Sequence, residues 1–115
     1  ERLALAVAEA NGCEYCVAAH TVLGKQAGLS DDDILASRKG VSDDPKSNAA
    51  MAFARALLGS RGHVTDGDVH GLRDAGFGDG EIAELVALVV LNLFTNYIND
   101  VAQTPLDFPQ APALD

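Results

Sequence analysis

The chain has 115 residues and a formal net charge of -9; it is 48% hydrophobic but only 5% aromatic. Those figures describe one small domain, residues 1–115, with an aliphatic core. The acidity excludes the basic surface that a nucleic-acid partner requires. No basic start followed by an apolar run and a cleavage site opens the chain. The longest apolar run, Leu85 to Leu91, is far shorter than the roughly 20 residues of a membrane span. A cytoplasmic protein with no membrane partner is expected. The chain also starts inside a predicted helix without an initiator Met, so a preceding segment is expected.

Every segment reads as helix. Glu1 to Ala10 is rich in Ala and Leu, and Asn11-Gly12 breaks it. The next helix runs from Cys13 to Ala27, with Gly28 as its C-terminal glycine. Ser30-Asp31-Asp32-Asp33 resembles a capping box and starts a short helix that stops at Gly40. After a polar loop a longer helix continues to about Arg61, with Ala50, Phe53, Ala54 and Leu57 at helical spacing. Thr65 and Asp68 cap another short helix, ended by Gly76. Asp79 is predicted to cap the last one, from about Gly80 to Ala102. The tail from Thr104 holds three of the four prolines and is predicted irregular. No strand alternation appears, so the expected architecture is an all-α bundle of about six helices. Leu85 to Leu91 is apolar all the way round. So small a domain cannot cover such a helix on every side, which predicts a homo-oligomer interface along it.

The chemistry concentrates at Cys13-Glu14-Tyr15-Cys16 and His20, and these are the chain's only cysteines. Positions i, i+3 and i+7 of a helix share one face, so two thiols and a base are predicted to lie together. A thiolate attacks a peroxide oxygen to give a sulfenic acid, which a nearby thiol converts to a disulfide. Asn11-Gly12 places the cysteines in the first helical turn, where the dipole favours a thiolate and would favour Cys13 most. His20, one turn beyond Cys16, favours Cys16, because imidazole is the group that takes up a proton near neutral pH. On a regular helix the two Cβ atoms are about 5–6 Å apart, whereas a disulfide needs about 3.5–4.5 Å. Oxidation is therefore expected to tighten or unwind the first turn.

Glu1, Cys13-x-x-Cys16 and His20 together resemble the core motif of alkylhydroperoxidase D, in the carboxymuconolactone decarboxylase superfamily. Ala75-Gly76-Phe77 followed by Glu81-Ile82 is similar to that family's entry to its last helix. The ending from Asn96-Tyr97-Ile98-Asn99 to Pro109 is similar to the tail of its single-domain, peroxidase-related members. The resemblance implies an alkylhydroperoxidase-type antioxidant that reduces hydroperoxides, with Cys16 peroxidatic, Cys13 resolving, and His20 and Glu1 relaying protons. Buried Glu1 with a raised pKa would be the physical signature of that relay. It further implies no cofactor, a dithiol reductant such as a lipoyl group or a thioredoxin-like protein, and trimers or hexamers. Tyr15 stands where members with the fullest relay carry histidine, and a phenol with a pKa near 10 is a poor base at neutral pH.

Other readings compete. Cys13, Cys16 and His20 could bind zinc with His63 or His70 as fourth ligand, although structural zinc sites pair two short knuckles and only one is present. A dithiol redox partner or sensor with little peroxidase turnover is a second reading. A decarboxylase like other branches of the superfamily is a third, and those branches do not depend on a C-x-x-C. A thioredoxin fold lacks its strands here. Asn92, Asn96 and Asn99 recur about one turn apart on the last helix, either lining a cavity or bonding across an interface.

Overall fold

The computed structural model describes residues 1–115. Six helices and no strand make up the fold: α1 (Arg2–Asn11), α2 (Glu14–Gln26), α3 (Asp31–Arg38), α4 (Pro45–Ser60), α5 (Asp66–Asp74) and α6 (Asp79–Ala102). The all-α bundle of six helices is as the sequence predicts. Its helix ends are set by local chemistry. Ser30 accepts from the Asp33 amide while the Asp33 carboxylate accepts from the Ser30 amide, and Thr65 and Asp68 repeat the arrangement. At the last helix the cap is Gly78 and not Asp79. Glu81 reaches back to the Gly78 amide at 3.2 Å, the half of a capping box that a glycine can join.

The core is organised around α1. This helix packs against α2, α3, α4 and α6, and Ala4 through Ala8 are all buried. Its alanines keep that crowding possible, because neighbouring backbones can approach without large side chains between them. Val7, Ala54 and Val89 join α1, α4 and α6, while Phe53, Leu72 and Leu85 extend the core to α5. Two ion pairs hold α3 to α1: Arg2 to Asp33 and Arg38 to Glu9, each at 2.8 Å.

Helix α6 is committed to this core on one side only. Leu85, Val89 and Asn96 are buried, whereas Val90, Leu91, Phe94, Tyr97 and Ile98 are each more than half exposed. By length and composition alone, this helix of 24 residues is apolar enough to cross a membrane. Its inner residues nevertheless pack into the bundle, and a fully buried asparagine interrupts them.

Asp33 gives the fold a pH dependence. The Arg2 guanidinium, and then the Ser30 hydroxyl and amide, hold its carboxyl at about 2, below the ordinary 3.8. In the unfolded chain the group protonates first. Its contribution is therefore complete above 3.8 and disappears as pH falls through about 2. Asp33→Asn should be less stable than the parent at neutral pH, with the gap closing across that window. Urea unfolding at a series of pH values checks this; a gap that stays constant down to pH 2 would refute it.

Candidate functional site

The site begins where α1 ends. Gly12 adopts φ +68°, and the amides of Gly12 and Cys13 bond back to Glu9 and Ala8, so the chain leaves α1 through a left-handed turn. No atom lies within 4 Å of a Cβ built at Gly12, so its backbone conformation, not space, calls for glycine. That turn delivers Cys13 as the N-cap of α2.

Cys13 therefore stands just outside the helix, in extended conformation at φ -81° and ψ 94°. This resolves the distance problem posed by a regular helix. The capping conformation brings the Cys13 sulfur over the first turn, where it is disulfide-bonded to Cys16 with a Cα–Cα distance of 5.2 Å. Its sulfur also accepts the Cys16 amide at 3.3 Å. Cys13 is fully buried and Cys16 nearly so, packed with Ala8 and Val17.

His20 lies one turn past Cys16 on α2. Its Nδ1 is 2.8 Å from Glu1 Oε2, joining the two residues expected to form a relay. Glu1 is only partly buried, its side chain being 29% exposed. Glu1, Cys16 and His20 line one surface cleft of about 440 Å³ together with Tyr15, Leu91 and Asn99. Cys13 does not reach it. The cleft wall is mainly apolar, supplied by α1, α2 and α6.

Tyr15 is a packing residue with a protonated hydroxyl. Its ring meets Phe108 edge-on, with centroids 5.7 Å apart. Desolvation pushes its phenol above the ordinary value, and the neighbouring Asp107 carboxylate adds to the rise. At neutral pH it can donate a hydrogen bond and cannot act as a base.

The tail is irregular, as expected, but it is packed against the site. Ala111 lies against the cysteine cluster, Gln110 donates to Glu14 at 2.8 Å, and the buried Arg38 donates to the Pro112 carbonyl at 2.7 Å. Arg38 carries no motif that would mark it in sequence, and Phe108 was marked only as part of the tail. The asparagines of α6 also separate. Asn92 donates to its own helix at the Leu88 carbonyl, Asn96 accepts from Asn11 at 2.9 Å, and Asn99 donates towards the Cys16 sulfur at 3.6 Å. Asn96 thereby ties α6 to the turn that precedes Cys13.

The zinc arrangement is not assembled: no group of three His, Cys, Asp or Glu comes close enough to share a metal ion. His63 follows α4 and His70 lies on α5, which packs on α4 rather than on α2. The two sulfurs that would ligate are bonded to each other.

None of the curated proteins matches this chain. The model of the carboxymuconolactone decarboxylase family matches residues 1–59, the stretch that carries Glu1, Cys13, Cys16 and His20. With more than half its length matched and an all-helical bundle around a C-x-x-C disulfide, the chain belongs to the carboxymuconolactone decarboxylase family.

Proposed function

We propose that this protein is a thiol-dependent peroxidase of the alkylhydroperoxidase type. The observation that carries the reading is the single cleft onto which Cys16 and the hydrogen-bonded His20–Glu1 pair open, with Cys13 bonded to Cys16 behind it. In the reduced protein, the Cys16 thiolate attacks one oxygen of a hydroperoxide. A sulfur–oxygen bond forms, the oxygen–oxygen bond breaks, and the leaving alkoxide takes a proton from His20 to depart as the alcohol. The Cys13 thiolate then attacks the Cys16 sulfenic acid. The disulfide forms, the sulfur–oxygen bond breaks, and hydroxide leaves as water after protonation. A dithiol reductant, becoming a disulfide itself, returns both cysteines to thiols. Glu1 orients His20 and stabilises its protonated form.

Tyr15 favours a second reading, a dithiol redox partner with slow peroxide turnover. Its surroundings keep the phenol protonated at a position where a base would assist. The rate of peroxide consumption with lipoyl and thioredoxin-like reductants separates the two readings, since a redox partner exchanges thiols while consuming little peroxide.

Cys16→Ser should abolish peroxide reduction, whereas Cys13→Ser should form a sulfenic acid that cannot resolve. Mass spectrometry of each variant after peroxide treatment is the check, and a stable sulfenate on Cys13 alone would reverse the assignment. His20→Ala should lower the peroxide reaction by about 10²–10⁴-fold, the range for a general acid–base. If its pH–rate profile overlays that of the parent, His20 has no proton-transfer role.

The same reading includes a homo-oligomer. The exposed apolar side of α6 supplies Leu88 and Leu91 to the cleft, so a second copy seated there would also cover the site. Val89 and Val90 differ in what they test. Val89 is 1% exposed and belongs to the core, whereas Val90 is 55% exposed. Val90→Glu should dissociate the assembly and leave the fold intact by circular dichroism. Sedimentation of the parent as a clean monomer at micromolar concentration would defeat this part of the proposal.

A further inference from the structure

We propose that Asn99 selects Cys16 as the reactive thiol by donating a side-chain amide hydrogen bond to its sulfur, and that Thr104 holds the amide in that orientation. The inference rests on the redox reading of the Cys13–Cys16 pair and adds two residues that are not part of the thiol–histidine–glutamate set.

The hydrogen bonds of Asn99 fix which way its amide points. An asparagine amide carries two donors and one acceptor oxygen. One donor goes to the Thr95 carbonyl at 3.0 Å, and a backbone carbonyl can only accept, so the nitrogen is on that side. The oxygen accepts from the Thr104 hydroxyl at 2.8 Å. The second donor is thereby aimed at Cys16 Sγ, 3.6 Å away. The last turn of α6 makes this possible. Gln103 closes the helix in left-handed conformation at φ 50°, and the Thr104 amide bonds back to the Asn99 carbonyl at 3.1 Å. Main chain and side chain of Thr104 thus both return to Asn99.

A disulfide sulfur is a weak acceptor and a thiolate a strong one. The Asn99 bond therefore strengthens when the pair is reduced and Cys16 ionises, which favours the charged form. Cys13 has its own donor, the Cys16 backbone amide at the helix N-terminus. The helix end by itself favours Cys13 as the thiolate. Asn99 shifts the balance to the sulfur that borders the cleft. The other titratable groups lining the cleft with Cys16 are Glu1 from the start of α1 and Tyr15 and His20 from α2; Glu14 from α2 and Asp100 from α6 line the neighbouring pocket at Asn99, and Asp107 of the tail lies by Tyr15. They remain in every variant below.

The test follows alkylation of the reduced full-length protein by iodoacetamide across pH, with mass spectrometry assigning each cysteine. Asn99→Ala should slow Cys16 alkylation about tenfold on the acid side of its midpoint, as expected for loss of one hydrogen bond to a charged group, and should not move the Cys13 midpoint upward. Asn99→Asp should move the midpoint further up, because a carboxylate repels the thiolate. Thr104→Val, outside the helix, should give an intermediate shift and keeps the test available if the Asn99 variants do not fold. A Cys16 profile unmoved in folded Asn99→Ala or in Thr104→Val, or a Cys13 profile that moves equally, would overturn the proposal. No peroxide enters this assay. A shifted profile in a protein that consumes no peroxide would sink the peroxidase reading and leave this one standing, while peroxide turnover without a shift would do the reverse.

Discussion

The structure depends on the crowding of one short helix. Five successive residues of α1, Ala4 through Ala8, are buried, so the helix is enclosed on every side over that length. Only small side chains permit four other helices to close on it, and three of the five are alanine. Both ends of α1 enter the site as a result. Its start sets Glu1 against His20, and its end, through Asn11 and Gly12, sets Cys13 at the head of α2. Shifting α1 by a fraction of a turn would misplace the Glu1–His20 hydrogen bond and the disulfide together.

Helix α6 supplies the other wall of the site. Its inner residues are spaced to meet different neighbours: Leu85 meets the α4–α5 core, Val89 meets α1, and Asn96 meets the α1–α2 turn. Asn99, one turn further, meets the sulfur. The tail then crosses to the far side of the cysteines, held by Arg38 and by the edge-on contact of Phe108 with Tyr15. The disulfide is thus enclosed by α1, α2, α6 and the tail, with the cleft as the approach to Cys16.

Much of the fold was legible in sequence because its boundaries are local. A serine or threonine three residues before an aspartate caps its helix wherever the helix packs, and Ser30 and Thr65 did so. The placing of Cys16 and His20 along one cleft was legible for the same reason, being set by spacing along one helix. What escaped was decided by distant partners or by a single dihedral. Cys13 read as a helical residue and is a cap, because the preceding glycine turns left-handed. The depth of Glu1, whose side chain is 29% exposed, was not legible, since spacing along the chain carries no information on depth. The three asparagines of α6 were visible as a series, but only tertiary contact separates the one that touches sulfur. Arg38 and the tail lie 74 positions apart and show no local signature of their bond.

The capping role of Cys13 has a consequence for how the disulfide opens. In thiol–disulfide exchange an incoming thiolate bonds to one sulfur and expels the other, and the exchange is faster when the expelled thiolate is more stable. Cys16, 3% exposed, borders the cleft and the fully buried Cys13 does not, so in the proposed dithiol cycle a thiol arriving there would bond to Cys16 and displace Cys13. The displaced sulfur departs into a place already prepared for negative charge, at a helix N-terminus and against the Cys16 amide. A residue that caps the helix in the oxidised protein is thereby the good leaving group when the bond is broken.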